Sequence, residues 1–327
     1  TPKDHDIATS ATPEQVRKVF KRTIPVQPEL GVTMVLHDDA RLEVTTFRSE
    51  GVYLDGRRPS QVGPADAKLD VQRRDFTING LLLDPETGEI HDHVGGVDDL
   101  TAGVLRCIRD ARERFTEDHL RILRAVRFAV RFGLRIEPAT WEAMVELSDK
   151  VSGLSGERIH EELTKMEAQG AFAKSVELLL DSGVFRALNA PLDRKLSETA
   201  SRERMFELLR AEIEPISGMW VTLMGLPLCE WWETPTRHGP VGLLDPAQKA
   251  LLERLRCSRA EIESASFTWT RWPTCWEKPT PVPSRQASLV RDRSWPTLER
   301  TLARFQQAFP NADSPLEHLN RLASWIP

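Results

Sequence analysis

The stretch FTEDHLRILRAVRFAVRFG, residues 115–133, constrains this chain most. Leu120, Leu123, Val126 and Val130 recur at spacings of three and four, and Gly133 then stops the pattern. That period belongs to an α-helix with one buried face, and it predicts a helix over 116–133. The other face is unusual. Glu117, Asp118, Arg121, Arg124, Arg127 and Arg131 step by one, three, three, three and four, and from Asp118 on they form one slowly drifting polar stripe, acidic at its start and then all arginine. No lysine occurs from 116 to 149, whereas a solvated face usually mixes lysine with glutamate. A guanidinium keeps its charge and donates hydrogen bonds in pairs, so such a stripe suits phosphate or a planar base edge.

Asp118 and Arg121 make the base-edge reading specific. An aspartate only accepts and an arginine only donates. Cytosine and adenine each offer an amine donor beside a ring acceptor, so one Asp-plus-Arg pair meets either. Guanine and uracil present the reverse, and both contacts fail, which is costly for buried polar groups. Arg124 and Arg127 extend the stripe toward the phosphates or the base.

An arginine stretch earlier in the chain, VQRRDFTING, covers residues 71–80. Arg74 suits a triphosphate, Asp75 can accept from a ribose hydroxyl, and Asn79 can fix the sugar or a neighbouring loop. An exposed, salt-bridged strand is the competing reading. The chain opens TPKDHDIATS, with Asp4 and Asp6 two residues apart. On a strand both would face one way. In RLEVTTFR, Leu42 and Val44 face the core, which turns Glu43 to the opposite side. Three carboxylates so placed can hold hard divalent cations.

Around these motifs the chain changes texture. Residues 1–108 mix short β-type runs (TMVLHD, RLEVTTFR, TINGLLLD) with turn signals (PETGE, VGGVDD). Thr12 reads as the N-cap of a helix with Pro13 at its first position. Residues from about 109 to 190 read as helical almost throughout, with Ser155 as a further N-cap, and from about 191 onward helical patterns recur, broken by Pro-rich segments such as EKPTPVPS. The expected class is α+β. Seven of nine tryptophans follow residue 230, and we expect them to pack helices rather than stack on bases. With a net charge of −5, the chain is no global polycation, so any nucleic acid must meet a local basic patch. Four scattered cysteines show neither zinc spacing nor a disulfide framework. With no apolar run near the roughly 18 residues of a membrane span and no signal peptide, the expected location is the cytoplasm.

In their order, KDHDIATSATPEQV, LEVTTFRSEG, RRDFTINGLLLD, DHVGGVDDL, RFTEDHLRILRAVRFAVRFG and SGERIHEELTKM resemble the class II tRNA nucleotidyltransferases and bacterial poly(A) polymerases. The resemblance covers roughly residues 1–170. It implies a nucleotidyltransferase head with a small mixed β-sheet (1–108), a helical neck bearing the base-recognition helix (109–170), and a helical body and tail that hold tRNA (171–327). It implies Asp4 and Asp6 as ligands of Mg²⁺ with Glu43 as third catalytic carboxylate, Arg74 on the triphosphate and Asp75 near the ribose. Asp118 and Arg121 become a protein template for the base, and Arg124 and Arg127 complete the pocket. The partners implied are tRNA, CTP and ATP. The family's glycine-rich segment is expected upstream of Thr1. A helical RNA-binding protein with a degenerate head is the alternative if that segment does not exist. Within the family, the glutamate of SGERI favours the tRNA-acting branch over poly(A) polymerase. The segment EGVYLDGRRPSQVGPADAKLD resembles the mobile loop of CCA-adding and A-adding members. Of those two activities, CCA addition is the expectation.

Overall fold

The computed structural model describes residues 6–37, 40–50, 62–211, 218–229, 232, 244–275, 290–310, 316 and 319. Asp4 and the central part of the expected mobile loop lie outside them. The chain divides into two compact units. The first is Thr1–Arg121 with Gly133–Leu147, and the second is Ile122–Phe132 with Ser148–Pro327.

In the first unit, β1 (Asp6–Thr9) leads into α1 (Pro13–Val19). Thr12 caps α1 reciprocally with Gln15: its hydroxyl accepts the Gln15 N–H at 3.3 Å, and the Gln15 side chain accepts the Thr12 N–H at 2.8 Å. Three strands follow: β2 (Thr23–Gln27), β3 (Val32–His37) and β4 (Ala40–Thr46). The sheet order is β1-β4-β3-β2, with β1 parallel to β4 and the other pairs antiparallel. Alternation sorts the two faces. Val35 and Val44 turn toward α1 and bury Val16, with Leu42 and Phe20 packed at the edge.

The rest of this unit is built from small pieces: β5 (Arg48–Glu50) paired with β6 (Val62–Pro64), α2 (Ala67–Gln72), a hairpin of β7 (Leu81–Leu83) and β8 (Ile90–Asp92), α3 (Gly96–Thr101) and β9 (Val104–Leu105). The expected strand TINGLLLD is only half a strand, because Thr77–Gly80 winds into a 3-10 turn before β7 begins. VGGVDD is not a plain turn either. The Asp92 carboxylate accepts the N–H groups of Val94, Gly95, Gly96 and Val97 at 2.9–3.0 Å and so starts α3. Gly96 has no room for a side chain, since a Cβ there would lie 2.3 Å from the Thr77 carbonyl oxygen.

The predicted helix over 116–133 is two helices. α4 (Ala111–Glu117) ends where Asp118 turns extended (φ −151°, ψ 104°), and α5 (Leu120–Phe132) then begins. The cause is local chemistry: Asp118 accepts the Leu120 N–H on its side chain at 3.0 Å and the Arg121 N–H on its carbonyl, also at 3.0 Å. An aspartate that caps a helix does not continue one. Beyond α5 come β10 (Arg135–Ile136), parallel to β9, and α6 (Pro138–Glu146).

The second unit is helical. It holds α7 (Gly156–Ala168), α8 (Phe172–Asp181), α9 (Val184–Leu188), α10 (Ala190–Ser197), α11 (Thr199–Arg210), α12 (Met219–Gly225), α13 (Pro246–Arg254), α14 (Arg259–Cys275) and a helix over Trp295–Ala308. Ser155 does sit at the N-cap of α7, but its side chain makes no capping bond. Trp220, Trp232, Trp269, Trp272 and Trp295 are all buried, so these rings pack helices and offer no face to a base. Trp231, Trp276 and Trp325 lie outside the described residues. Among those described, no helix is long and apolar enough to cross a membrane.

Candidate active site

Strand register places Asp6 directly beside Glu43 on the parallel β1/β4 pair. Paired residues of neighbouring strands face the same side. Val44 and Leu42 take the α1 side, so the two carboxylates stand together on the opposite, solvent-exposed face. Oxygen donors on a firm sheet, unburdened by burial, are what a hard divalent cation needs.

The two arginine stretches meet in the same unit. Asp70, 1% exposed, is the hub of the first. One carboxylate oxygen receives Arg73 Nη2 at 2.7 Å and Nε at 3.1 Å. The other receives Arg74 Nη2 at 3.1 Å. Arg74 also donates to the Asn79 carbonyl at 2.9 Å, while its side chain keeps 27% exposure. Its guanidinium is therefore oriented but still reachable. Asp75 is buried, and its carboxylate accepts the Phe76 N–H at 3.0 Å and the Asn79 side-chain amide at 2.9 Å. Asn79 thus holds Asp75 as much as it faces any ligand. The neighbouring Cys107 thiol is pushed up to about 12 by burial and then by the Asp75 charge, so it stays neutral.

Glu117 performs the same service for the second stretch. One of its oxygens receives Arg114 Nη1 and Arg121 Nη1, both at 2.6 Å. Arg114 goes on to the carbonyls of Gln72 and Arg73 at 2.8 and 3.2 Å. Arg121 is buried against the Arg114 carbonyl at 2.9 Å and the Arg73 carbonyl at 3.4 Å. Guanidiniums from the second stretch therefore close over the carbonyl end of α2, where the first stretch begins. The helix-end dipole favours cations there.

Arg124 and Arg127 belong to the second unit. Both lie over the Phe128 ring, with guanidinium carbons 5.2 and 4.2 Å from its centroid. Arg127 is buried and bonded through Nε to buried Glu162 at 2.6 Å.

Asp70 and Arg114 are structural members of this site that motif reading did not single out, and Glu117 was named there without a partner. Their signal was present as (i, i+3) and (i, i+4) carboxylate–arginine spacing. Spacing alone does not say which partner is buried.

Two family comparisons match this architecture. The family described as "Poly A polymerase head domain" matches residues 1–106, and "Probable RNA and SrmB- binding site of polymerase A" matches residues 133–195. The chain belongs to the tRNA nucleotidyltransferase and poly(A) polymerase family. It is 41% identical over 215 residues to a CCA-adding enzyme of Oceanobacillus iheyensis, covering 65% of this chain and 52% of that one. It is 39% identical over 235 residues to a CCA-adding enzyme of Enterococcus faecalis, covering 66% of this chain and 58% of the other. The chain thus spans a little over half the length of these curated relatives. Its fold superposes on the Bacillus stearothermophilus CCA-adding enzyme in complex with CTP with a TM-score of 0.73 at 27% identity, covering 100% of this chain and 75% of the other. The α+β class, with a nucleotidyltransferase head on a small mixed sheet and helices after it, is the family's.

Proposed function

We propose that this protein adds C and A residues from CTP and ATP to the 3′ end of tRNA, without a nucleic-acid template. The observation that supports this most is the pairing of curated CCA-adding relatives with the meeting of both arginine stretches at one helix end. We keep the division into head (1–108), neck (109–170), and body and tail (171–327) as part of this reading, with tRNA held by the helices and the reaction in the cytoplasm.

In the reaction, the 3′-hydroxyl oxygen of tRNA attacks the α-phosphorus in line. The bond to the bridging oxygen breaks, and pyrophosphate leaves. Arg74, steadied by Asp70, donates to the triphosphate. Asp75, held by Asn79, accepts from the ribose. Asp118 accepts the exocyclic amine of cytosine or adenine, and Arg121 donates to the adjacent ring acceptor. Arg124 and Arg127 follow along α5. The ion pair with Glu162 gives Arg127 the added task of fixing that helix. Asp6 and Glu43 fit Mg²⁺ by donor type, exposure and adjacency, with Asp4 as a further ligand and Glu43 as acceptor of the hydroxyl proton. A divalent ion bound there supplies charge neutralisation for the attacking and leaving oxygens. Everything else is positioning and preorganised charge.

Three tRNA transcripts, ending at the discriminator base, at C and at CC, test the proposal. Each is incubated with Mg²⁺ and CTP, ATP or both, and resolved nucleotide by nucleotide. Completion of all three to CCA is expected. Extension of only the CC-ending transcript, by one A, would make the protein an A-adding enzyme, and long A tails would make it a poly(A) polymerase.

A further inference from the structure

We propose that His160, Cys257 and Glu261 form a binding site for a borderline-soft divalent cation, with Zn²⁺ the best match, in the helical second unit. The site does not depend on the reading of the head. Its three ligand atoms lie within 4.8 Å of one another, and all three residues are half-buried.

Close backbone packing brings them together. Gly156 starts α7 against the end of α13, where a Cβ would lie 2.1 Å from the Arg254 carbonyl oxygen. Arg254 in turn donates to the carbonyls of Leu154 at 3.0 Å and Ser152 at 2.9 Å, which locks the two chain segments. One turn along α7 from Gly156 comes His160. The α13–α14 connection facing it carries Cys257. Glu261 then enters from the first turn of α14, fixed by a reciprocal cap: its Oε2 accepts the Ser258 N–H at 2.7 Å, and the Ser258 hydroxyl accepts the Glu261 N–H at 3.3 Å. That cap leaves Oε1 aimed at His160 Nε2, 2.8 Å away. The His160 ring is itself held against Trp220, with centroids 5.3 Å apart.

The donor set decides the ion. Imidazole nitrogen, thiolate and a single carboxylate oxygen suit Zn²⁺ and disfavour Mg²⁺, which prefers an all-oxygen octahedron. Three protein ligands leave a fourth position for water, and the ligands come from two separate helical segments. A plain His–Glu ion pair accounts for two of the three groups and gives the thiol no role. The ligating form of cysteine is the thiolate, so cation binding at this site would release a proton. Occupation would tie α7 to the α13–α14 corner and stabilise the unit.

Titrating metal-stripped protein with Co²⁺ tests this. The thiolate-to-cobalt charge-transfer band should grow to saturation at one equivalent and vanish on adding Zn²⁺. Cys257→Ser should abolish the band, and His160→Gln should weaken affinity about tenfold. Asp6→Ala, which alters only the head carboxylates, should leave the band unchanged. Zn²⁺ should raise the thermal midpoint of the parent by a few degrees and not that of Cys257→Ser, a readout that holds for any variant that folds. Absence of the band at one equivalent, or its survival in Cys257→Ser, overturns the proposal.

Discussion

Asp70 never meets a ligand in the reading above, yet two guanidiniums depend on it. Its carboxylate is buried and carries Arg73 and Arg74 together. Removing one partner of a buried pair leaves the other charges uncompensated, at a cost of about 3 kcal/mol. Asp70→Ala should therefore lower the urea midpoint markedly, and CTP with Mg²⁺ should recover less stability than it does in the parent. Equal recovery by CTP would separate Asp70 from the nucleotide site.

Glu167 carries a pH dependence of its own. Burial raises its carboxyl from the ordinary 4.5 to about 7, against the opposing pull of the Trp220 and Gly218 N–H groups it accepts at 2.6 and 3.0 Å. The folded protein thus holds this proton more tightly than the unfolded chain does. Its contribution is complete below the unfolded value and falls as pH rises from about 4.5 to about 7. Glu167→Gln cannot ionise, but it leaves a single carbonyl oxygen where Trp220 N–H and Gly218 N–H each have a carboxylate oxygen of their own. Its urea midpoint should be lower than the parent's at about pH 5, where one N–H has lost its acceptor, and should change less between about pH 5 and pH 8 than that of the parent.

Elements differ in how much of their origin was legible. The start of α1 was readable because a cap is a local contract between Thr12, Pro13 and neighbours within one turn. The break at Asp118 was hidden, since an aspartate at that position satisfies both a helical stripe and a helix cap, and only the backbone chooses. The 3-10 turn at Thr77–Gly80 was hidden for another reason. Its conformation is dictated by the close approach of α3 at Gly96, some twenty residues along the chain. Gly96→Ala is the direct probe of that approach. Forcing a methyl against the Thr77 carbonyl should cost roughly 1–3 kcal/mol, as overpacking does, and should shift the turn that carries Asn79. Unchanged stability and unchanged nucleotide affinity would show that the contact relaxes freely.

For the molecule as a whole, net charge and folded architecture point to a division of labour. A chain of charge −5 does not attract RNA by its overall field, so the tRNA binding proposed above would rest on local contacts, which we assign to the helices. On the proposed function, the carboxylates Asp6 and Glu43 serve chemistry alone. Asp6→Ala should abolish transfer while tRNA affinity stays within about twofold of the parent, measured by filter binding. Loss of both together would place the head in tRNA binding as well. The fold class and the arginine stretches could be read from pattern, because helical periodicity and motif order are carried along the chain. The partners of those arginines were only half legible: Asp70 and Glu117 stand three or four residues from the arginines they hold, a spacing that does not say which group is buried, and Glu162 meets Arg127 only when two distant segments close on each other.

The most direct test of the central claim, that side chains of this protein read the base, is the nucleotide selectivity of Asp118→Ala. Single-nucleotide addition to a tRNA transcript is timed with CTP, ATP, UTP and GTP separately, for parent and variant. The account predicts that preference for CTP and ATP over UTP and GTP collapses in the variant, by about tenfold or more, because the acceptor that demands an amine is gone. A variant that is slower but as selective as the parent would contradict it.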